Sequence, residues 1–257
     1  MSQKKTAIST IQLGVTAVFT ALVCAATMVF SIYVPSTEGF FNIGETMVYT
    51  TALLFGPVVG AFAGGVGSMF ADIFLGYPHY AVATLLIKAC EGGVVGFLSR
   101  RRPSFESKTE WKAFTFVVGA PIGVLLGTIG LLYYSGSVDI SFGIPALQSG
   151  TLSMFIPAEL WVCLGVLVIL LITGMGMVLE PEVGWQAFAA TLGGLTMVSG
   201  YFIYQQFFLG WLFPSMKVVA LAEIPVNVGQ MTIGLIVSIP IVRAVFRAVP
   251  TIRKITH

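Results

Sequence analysis

The sequence predicts an all-α fold, a polytopic transmembrane helical bundle of about eight helices with both termini on the cytoplasmic side. Three observations carry that expectation. The 257 residues are 56% hydrophobic and 9% charged, with no polar block long enough for a soluble domain. The apolar residues fall into eight runs, at 8–34, 43–55, 57–76, 79–99, 113–134, 151–179, 186–213 and 217–249, each measured against the roughly 20 residues that cross a bilayer. Eleven of the 13 Lys and Arg residues gather in four clusters: Lys4 with Lys5, Arg100 to Arg102, Lys108 with Lys112, and Arg243, Arg247, Arg253 and Lys254.

Each run has a local justification. The first follows Lys4 and Lys5, but it is too long for a secretory signal and lacks a small-residue cleavage site, so it is expected to stay as a helix. The second is short, and Gly56-Pro57 divides it from the third because proline cannot continue the hydrogen-bond ladder. The fourth ends at Arg100, and the fifth follows Lys112. Alternate threading puts all four basic clusters on the cytoplasmic side, as the positive-inside rule demands, and puts Glu38, Asp72, His79, Asp139 and Lys217 at or near the outer face. Connections at 35–42, 100–112, 135–150 and 180–185 are too short to house a further domain, so residues 1–257 form a single membrane domain. The net charge of +2 reports this topology and implies no nucleic-acid partner. Cys24, Cys90 and Cys163 sit in separate apolar runs without metal or disulfide spacing and are expected as reduced, buried space-fillers.

The chain carries no GxxxxGK[ST] phosphate loop, HExxH, GxSxG or intramembrane GxGD, and only two histidines, His79 and His257. It is therefore not expected to be an enzyme or to hold a metal or cofactor, and active transport would need an energised partner or an ion gradient. Three polar stripes remain. Thr84, Lys88 and Glu91 are spaced by four and three on one helix face, with Lys88 about 18 Å from Arg100 along the axis, near mid-bilayer. Ionisable groups at that depth are costly unless paired, so they mark a site, or else Lys88 and Glu91 form a structural pair one turn apart. Tyr201, Tyr204, Gln205 and Phe208 give an aromatic face plus an amide, which is also ordinary core composition. Glu223, Asn227 and Gln230 share a face in the last run, with Pro225 loosening the backbone near its outer end. Asn42, Glu45, Asp72, Tyr77, His79 and Tyr80 flank the outer turns, where they either line a mouth above the midplane stripes or are caps and solvated loop residues; Glu45 also suits its helix dipole. Aromatics, amides and compensated charges suit a small, flat, hydrogen-bonding solute.

Small residues recur every fourth position: Ala17, Ala21 and Ala25; Gly56, Gly60 and Gly64; Gly119, Gly123 and Gly127. Each set lies on one helix face, where backbones can approach closely. The glycine sets read as bundle packing; the alanine set fits either packing or docking.

The stretches FNIGETMVYTTALLFGPVVGAFAGGVGSMFADI at 41–73, ATLLIKACEGGVVGFLSRR at 83–101 and AEIPVNVGQMTIGLIVSIPIV at 222–242 resemble the substrate-binding S components of energy-coupling factor (ECF) vitamin transporters. The resemblance implies a membrane bundle that binds a vitamin or vitamin precursor near its outer half. It also implies docking through the first helix, at Ala17, Ala21 and Ala25, to a membrane coupling (T) protein that carries two cytoplasmic ATPases. The family's ligand-contacting regions would fall around residues 36–45, 79–91, 201–208 and 223–230, which makes Asn42, Glu45, His79, Thr84, Lys88, Glu91, Tyr204, Gln205, Glu223 and Asn227 the candidate substrate-binding residues. The family has six helices, so the resemblance divides this chain into four core helices at 8–102, an inserted pair at 113–179 and two last core helices at 186–249; Glu159 of the pair is a further candidate. Riboflavin, pyridoxine and thiamine-pathway pyrimidines all remain open as ligands. The alternative is a stand-alone proton-coupled secondary transporter using Glu91, Asp72 or Glu223, against which the lack of an evident inverted repeat counts.

Overall fold

The computed structural model describes residues 10–34, 39–101, 108–142, 151–178, 181–212 and 216–249. Lys4, Lys5, Glu38, Arg102, Arg253, Lys254 and His257 lie outside them, as do the side chains of Lys108, Asp139 and Lys217. In chain order the elements are α1 (Thr10–Val29), β1 (Ile32–Val34), β2 (Gly39–Phe41), α2 (Gly44–Phe55), α3 (Pro57–Leu75), α4 (Pro78–Arg100), α5 (Lys108–Tyr133), β3 (Gly136–Phe142), β4 (Thr151–Ile156), α6 (Ala158–Val178) and α7 (Pro181–Ile203). The last rod but one continues from α7 through a π-helical segment, Tyr204–Leu209, into α8 (Gly210–Leu212); α9 (Met216–Ala248) closes the fold. Among the described residues six helical runs are long and apolar enough to cross a membrane, with Ala158–Gly174 a shorter apolar one. The chain is a multi-pass membrane protein.

At 12 residues α2 is about 18 Å long, too short to span, and it is buried along nearly its whole length between α1, α3, α4 and α9. Gly56, at φ 85°, turns the chain where a Cβ would be strained, and Pro57 begins α3. The Arg100 guanidinium donates to the Phe55 carbonyl at 2.9 Å, answering a backbone acceptor that the end of α2 leaves open. Around α2 stand α1, α3, α4 and, across the core, α7 packed on both α4 and α9. Helix α5 pairs with α6 and also lies on α9. The glycine sets serve packing: a Cβ at Gly60 would stand 2.9 Å from the Gly92 carbonyl oxygen, one at Gly64 3.0 Å from that of Lys88, and one at Gly119 3.0 Å from the Ile172 side chain.

Helices α4 and α9 end, and α5 and α7 begin, at one end of the bundle, where the Trp185 indole donates to the Leu98 carbonyl at 2.7 Å. Arg100, Arg101, Lys112, Arg243 and Arg247 all belong to this basic end. The opposite end carries a four-stranded antiparallel sheet in the order β2-β1-β3-β4, with Ile32 opposite Phe41 and Phe142, and Asp139 opposite Ser153.

That sheet departs from the sequence expectation. The first run stops being helical at Val29, and the run expected from 151 is a strand until Pro157 lets α6 start at Ala158. Hydropathy does not separate a short apolar strand from a helix end; β-branched and aromatic residues in Ile-Tyr-Val and Met-Phe-Ile favour the strand. The cysteines are free as expected, but Cys90 and Cys163 are exposed on the bundle surface. In a membrane the outward face is as apolar as the core, so composition does not tell the two apart.

Candidate functional site

The sheet end holds a cavity of about 60 Å³ enclosed by α3, α4, α7 with its π-helical continuation, α9 and the strand β2. Its floor is an ion cluster. Lys88 of α4 pairs with Glu45 in the first turn of α2 and, at 3.1 Å, with Glu91 one turn along its own helix. Glu45 is 1% exposed and Glu91 0%, so both carboxylates lie beneath the lysine, while Lys88 itself reaches the cavity wall. Tyr49 of α2 faces Glu91. Gly193 of α7 lets that helix close over the cluster, since a Cβ there would stand 3.1 Å from the Glu91 carbonyl oxygen.

One wall comes from the α3–α4 turn. Asp72 occupies the last turns of α3, Gly76 reverses the chain at φ 90°, and Tyr77, Tyr80 and Thr84 follow at the start of α4. The Tyr201 hydroxyl donates to Thr84 at 3.0 Å, and Thr84 hydrogen-bonds the Asp72 carboxylate. The other wall is α9, where Glu223, Asn227 and Gln230 all line the cavity as their spacing predicts. Pro225 lies inside α9 and leaves one backbone carbonyl without its usual N–H partner; the Tyr134 hydroxyl, at the end of α5, donates to the nearby Ala222 carbonyl.

The roof is β2. Phe40 lines the cavity, and Asn42 just after the strand donates both its backbone and side-chain N–H groups to the Gln230 amide oxygen. The Asn42 oxygen accepts from the Gly44 N–H at 2.8 Å, opening α2, and Gln230 donates onward to Asn227 at 3.1 Å. A single amide chain therefore ties the roof strand, the central helix and α9 together.

The π-helical winding decides what α7 presents. Gln205 lines the cavity and donates to the Tyr80 hydroxyl at 3.0 Å, with Tyr201 one turn before it. Tyr204 turns aside to donate to the His79 carbonyl at 2.6 Å, and Phe208 is 66% exposed. Straight α-helical spacing puts all four on one face; the wider π turn after Tyr204 swings Phe208 away, a distortion often found at functional sites. Of the ten candidates, Asn42, Thr84, Lys88, Gln205, Glu223 and Asn227 line the cavity, Glu45 and Glu91 underlie it, Tyr204 braces its rim, and His79 is exposed beside Tyr80 with ring centroids 4.7 Å apart. Glu159 is exposed at the start of α6. Phe40 was not singled out by sequence, because a strand residue in an apolar run carries no signal of its own.

Two buried acceptors on the wall, Asp72 Oδ2 and Gln205 Oε1, have no hydrogen-bond partner among the described residues. Buried polar atoms are nearly always satisfied, so a wall that leaves them open fits a polar ligand. Among the described residues no cluster of His, Cys, Asp and Glu could hold a metal ion. Elsewhere, Ala17, Ala21 and Ala25 lie exposed on α1, flooring an open apolar groove whose other side is Phe62, Val66, Phe70 and Phe74 of α3.

Residues 7–178, from before α1 through α6, match the family model described as "ECF-type riboflavin transporter, S component". The chain is also 37% identical over 122 residues to a Pyrococcus woesei protein described as "Uncharacterized protein in gap 3'region", a match that takes in 47% of this chain and 71% of that one.

Proposed function

Because the chain belongs to the S components of ECF-type riboflavin transporters, and is thus a transporter component rather than an enzyme, we propose that its sheet-end cavity captures a vitamin-like heterocycle from outside the cell. The observation that carries this reading is the pair of unmet buried acceptors, Asp72 Oδ2 and Gln205 Oε1, on a wall shared with Phe40, Tyr77, Tyr80 and Tyr201. Rings stack on such walls, and orphaned acceptors fix the orientation of a ligand that brings donors. The gathering of basic residues at the opposite end favours a cytoplasmic basic end and an outward cavity.

A cavity of about 60 Å³ is far below the roughly 300 Å³ at which ligand sites begin. Loading a ring therefore requires the roof to lift, and the Asn42–Gln230 contact is where β2 would part from α9. In this reading the ligand core is α1 to α4 with α7 and α9, and α5 with α6 is an added pair; the packing of α5 mainly on α6 supports that division. The open groove on α1 is the docking face for a membrane coupling protein with two cytoplasmic ATPases, consistent with a chain that carries no phosphate loop of its own.

Native mass spectrometry after gentle detergent extraction tests the proposal. A small molecule should accompany the wild type and be lost from a Gln205→Leu, Asn227→Leu variant that melts normally. A bare wild-type mass together with no saturable binding of riboflavin, pyridoxine or thiamine would sink it. Uptake by liposomes holding this chain alone and driven by a pH gradient would replace it with a proton-coupled carrier.

A further inference from the structure

Tyr134 does not line the cavity, yet it touches two of the parts that enclose it. It closes the last turn of α5, its N–H donating to the Gly130 carbonyl at 2.8 Å, and its ring is buried among Ala222 and Val226 of α9, Val34 of β1 and Phe41 of β2. The Trp161 indole of α6 donates to the Tyr134 carbonyl at 3.0 Å, with the two ring centroids 5.7 Å apart. Gly130 gives that indole its place, since a Cβ there would run into the ring. Both helices of the added pair therefore hold this one side chain against α9 and the roof. The strands bind the same parts together, because β1 lies between β2 and β3, and β3 begins two residues after Tyr134.

The task of the hydroxyl follows from Pro225. A proline lacks the N–H that would answer the carbonyl four residues back, and its ring crowds the preceding turn, so α9 has a weak point between Glu223 and Asn227. Asn227 and Gln230, after the proline, are fixed to the roof through the Asn42 amide chain. Glu223, before it, lines the same cavity from the segment that the proline loosens. The Tyr134 hydroxyl donates to the carbonyl of Ala222, and so ties that segment down one position from the cavity wall. A phenylalanine would fill the cluster equally well. A phenol buried among apolar neighbours is costly unless its hydroxyl is bonded, so what the hydroxyl adds is the link itself.

We propose that Tyr134 is a positioning residue for the ligand site: it holds the segment of α9 before Pro225, and Glu223 with it, against the roof strands, so that the sheet end of the added pair governs how readily the cavity opens. The inference rests on the reading of the cavity as the ligand site and adds what restrains its opening. Only the sheet end of the pair is involved, since Gly123, three turns earlier on α5 and roughly 16 Å along the axis, packs a separate part of the seam.

Hydrogen exchange in the purified full chain, read by mass spectrometry, tests the positioning without a ligand. Tyr134→Phe keeps the ring and loses the hydroxyl. The amides of 219–224 and 39–42 should then exchange about fivefold faster, the worth of one ordinary hydrogen bond, while those of α3 and α4 keep wild-type rates. Stopped-flow release of whichever of riboflavin, pyridoxine and thiamine binds the wild type most tightly should quicken by a similar factor. Entry through the same opening should also be faster, so that affinity falls by less than the release rate rises, a pattern that the loss of a ligand contact would not give. Trp161→Phe, which frees the Tyr134 carbonyl, should shift both readouts the same way. Wild-type exchange or wild-type release in Tyr134→Phe overturns the inference and leaves the binding function standing, as does faster exchange throughout the bundle, which marks a general loss of packing. Saturable binding of none of the three vitamins by the wild type overturns both.

Discussion

Two helix interfaces of this bundle solve membrane packing in opposite ways. Between α5 and α6 the seam is glycine against glycine and isoleucine: Gly123 lies against Gly165, Gly127 under Trp161, and Gly119 on Ile172. At the sheet end of α4, α7 and α9 the seam instead holds Asp72, Lys88, Gln205 and Glu223 around a cavity. Close backbone approach needs no polar group, because lipid offers no hydrophobic driving force and van der Waals fit suffices. Buried charge brings no such gain, and its desolvation is costly. A chain that tolerates it in one seam and excludes it from another has concentrated its polar groups where a ligand can compensate them.

The largest effect expected from breaking this contrast is at the ion cluster. Lys88→Ala would leave Glu45 and Glu91 buried without a cation, which costs about 3–5 kcal/mol when one partner of a buried pair is removed. Thermal melting in detergent should show a large loss, and the triple variant Lys88→Met, Glu45→Gln, Glu91→Gln should recover most of it without recovering ligand binding. Full recovery of binding would mean that the cluster serves insertion only. Next in size is the glycine seam. Gly123→Leu drives a side chain into Gly165 and Ile169 and should cost about 1–3 kcal/mol by overpacking. Its ligand affinity should stay within threefold of wild type; a larger fall would show that the α5–α6 pair shapes the cavity.

What the sequence revealed follows from which physics is local. Helices were legible because an apolar run of membrane length has few alternatives, and Lys88 and Glu91 were legible because a charge in such a run has no casual reason to be there. The Glu223, Asn227 and Gln230 face came directly from helical spacing. The second partner of Lys88 did not: Glu45 lies 43 positions away, on a helix whose position only the packed bundle defines. Phe208 turns away from the cavity against its spacing, because spacing arguments assume 3.6 residues per turn and the π segment from Tyr204 to Leu209 breaks that assumption. Strands β1 to β4 were hidden in apolar runs and connections whose hydropathy is silent about backbone conformation.

The roof gives a smaller effect. Asn42→Ala removes both side-chain links from β2 to Gln230 and to the start of α2, and should speed ligand release by about tenfold, equivalent to 1.4 kcal/mol. Stopped-flow dissociation measures this; an unchanged rate would place the gate elsewhere than β2.

The smallest expected effect tests the edge of the site. His79 is the obvious recognition residue by type, since it is the one histidine in the membrane-facing part of the chain, yet it stands exposed with its ring beside Tyr80, and its backbone carbonyl accepts from Tyr204. A side-chain substitution leaves that carbonyl in place, so His79→Ala should change ligand affinity less than twofold. Tyr204→Phe removes the donor to the same carbonyl and loosens the rim beside Tyr80, and should weaken binding more than His79→Ala does. The order of the two variants in one titration series is the discriminating result: if His79→Ala is the worse, the imidazole reaches a ligand that sits higher than the cavity between α4 and α9, and the boundary between binding seam and solvent-facing rim must be moved outward by a full turn.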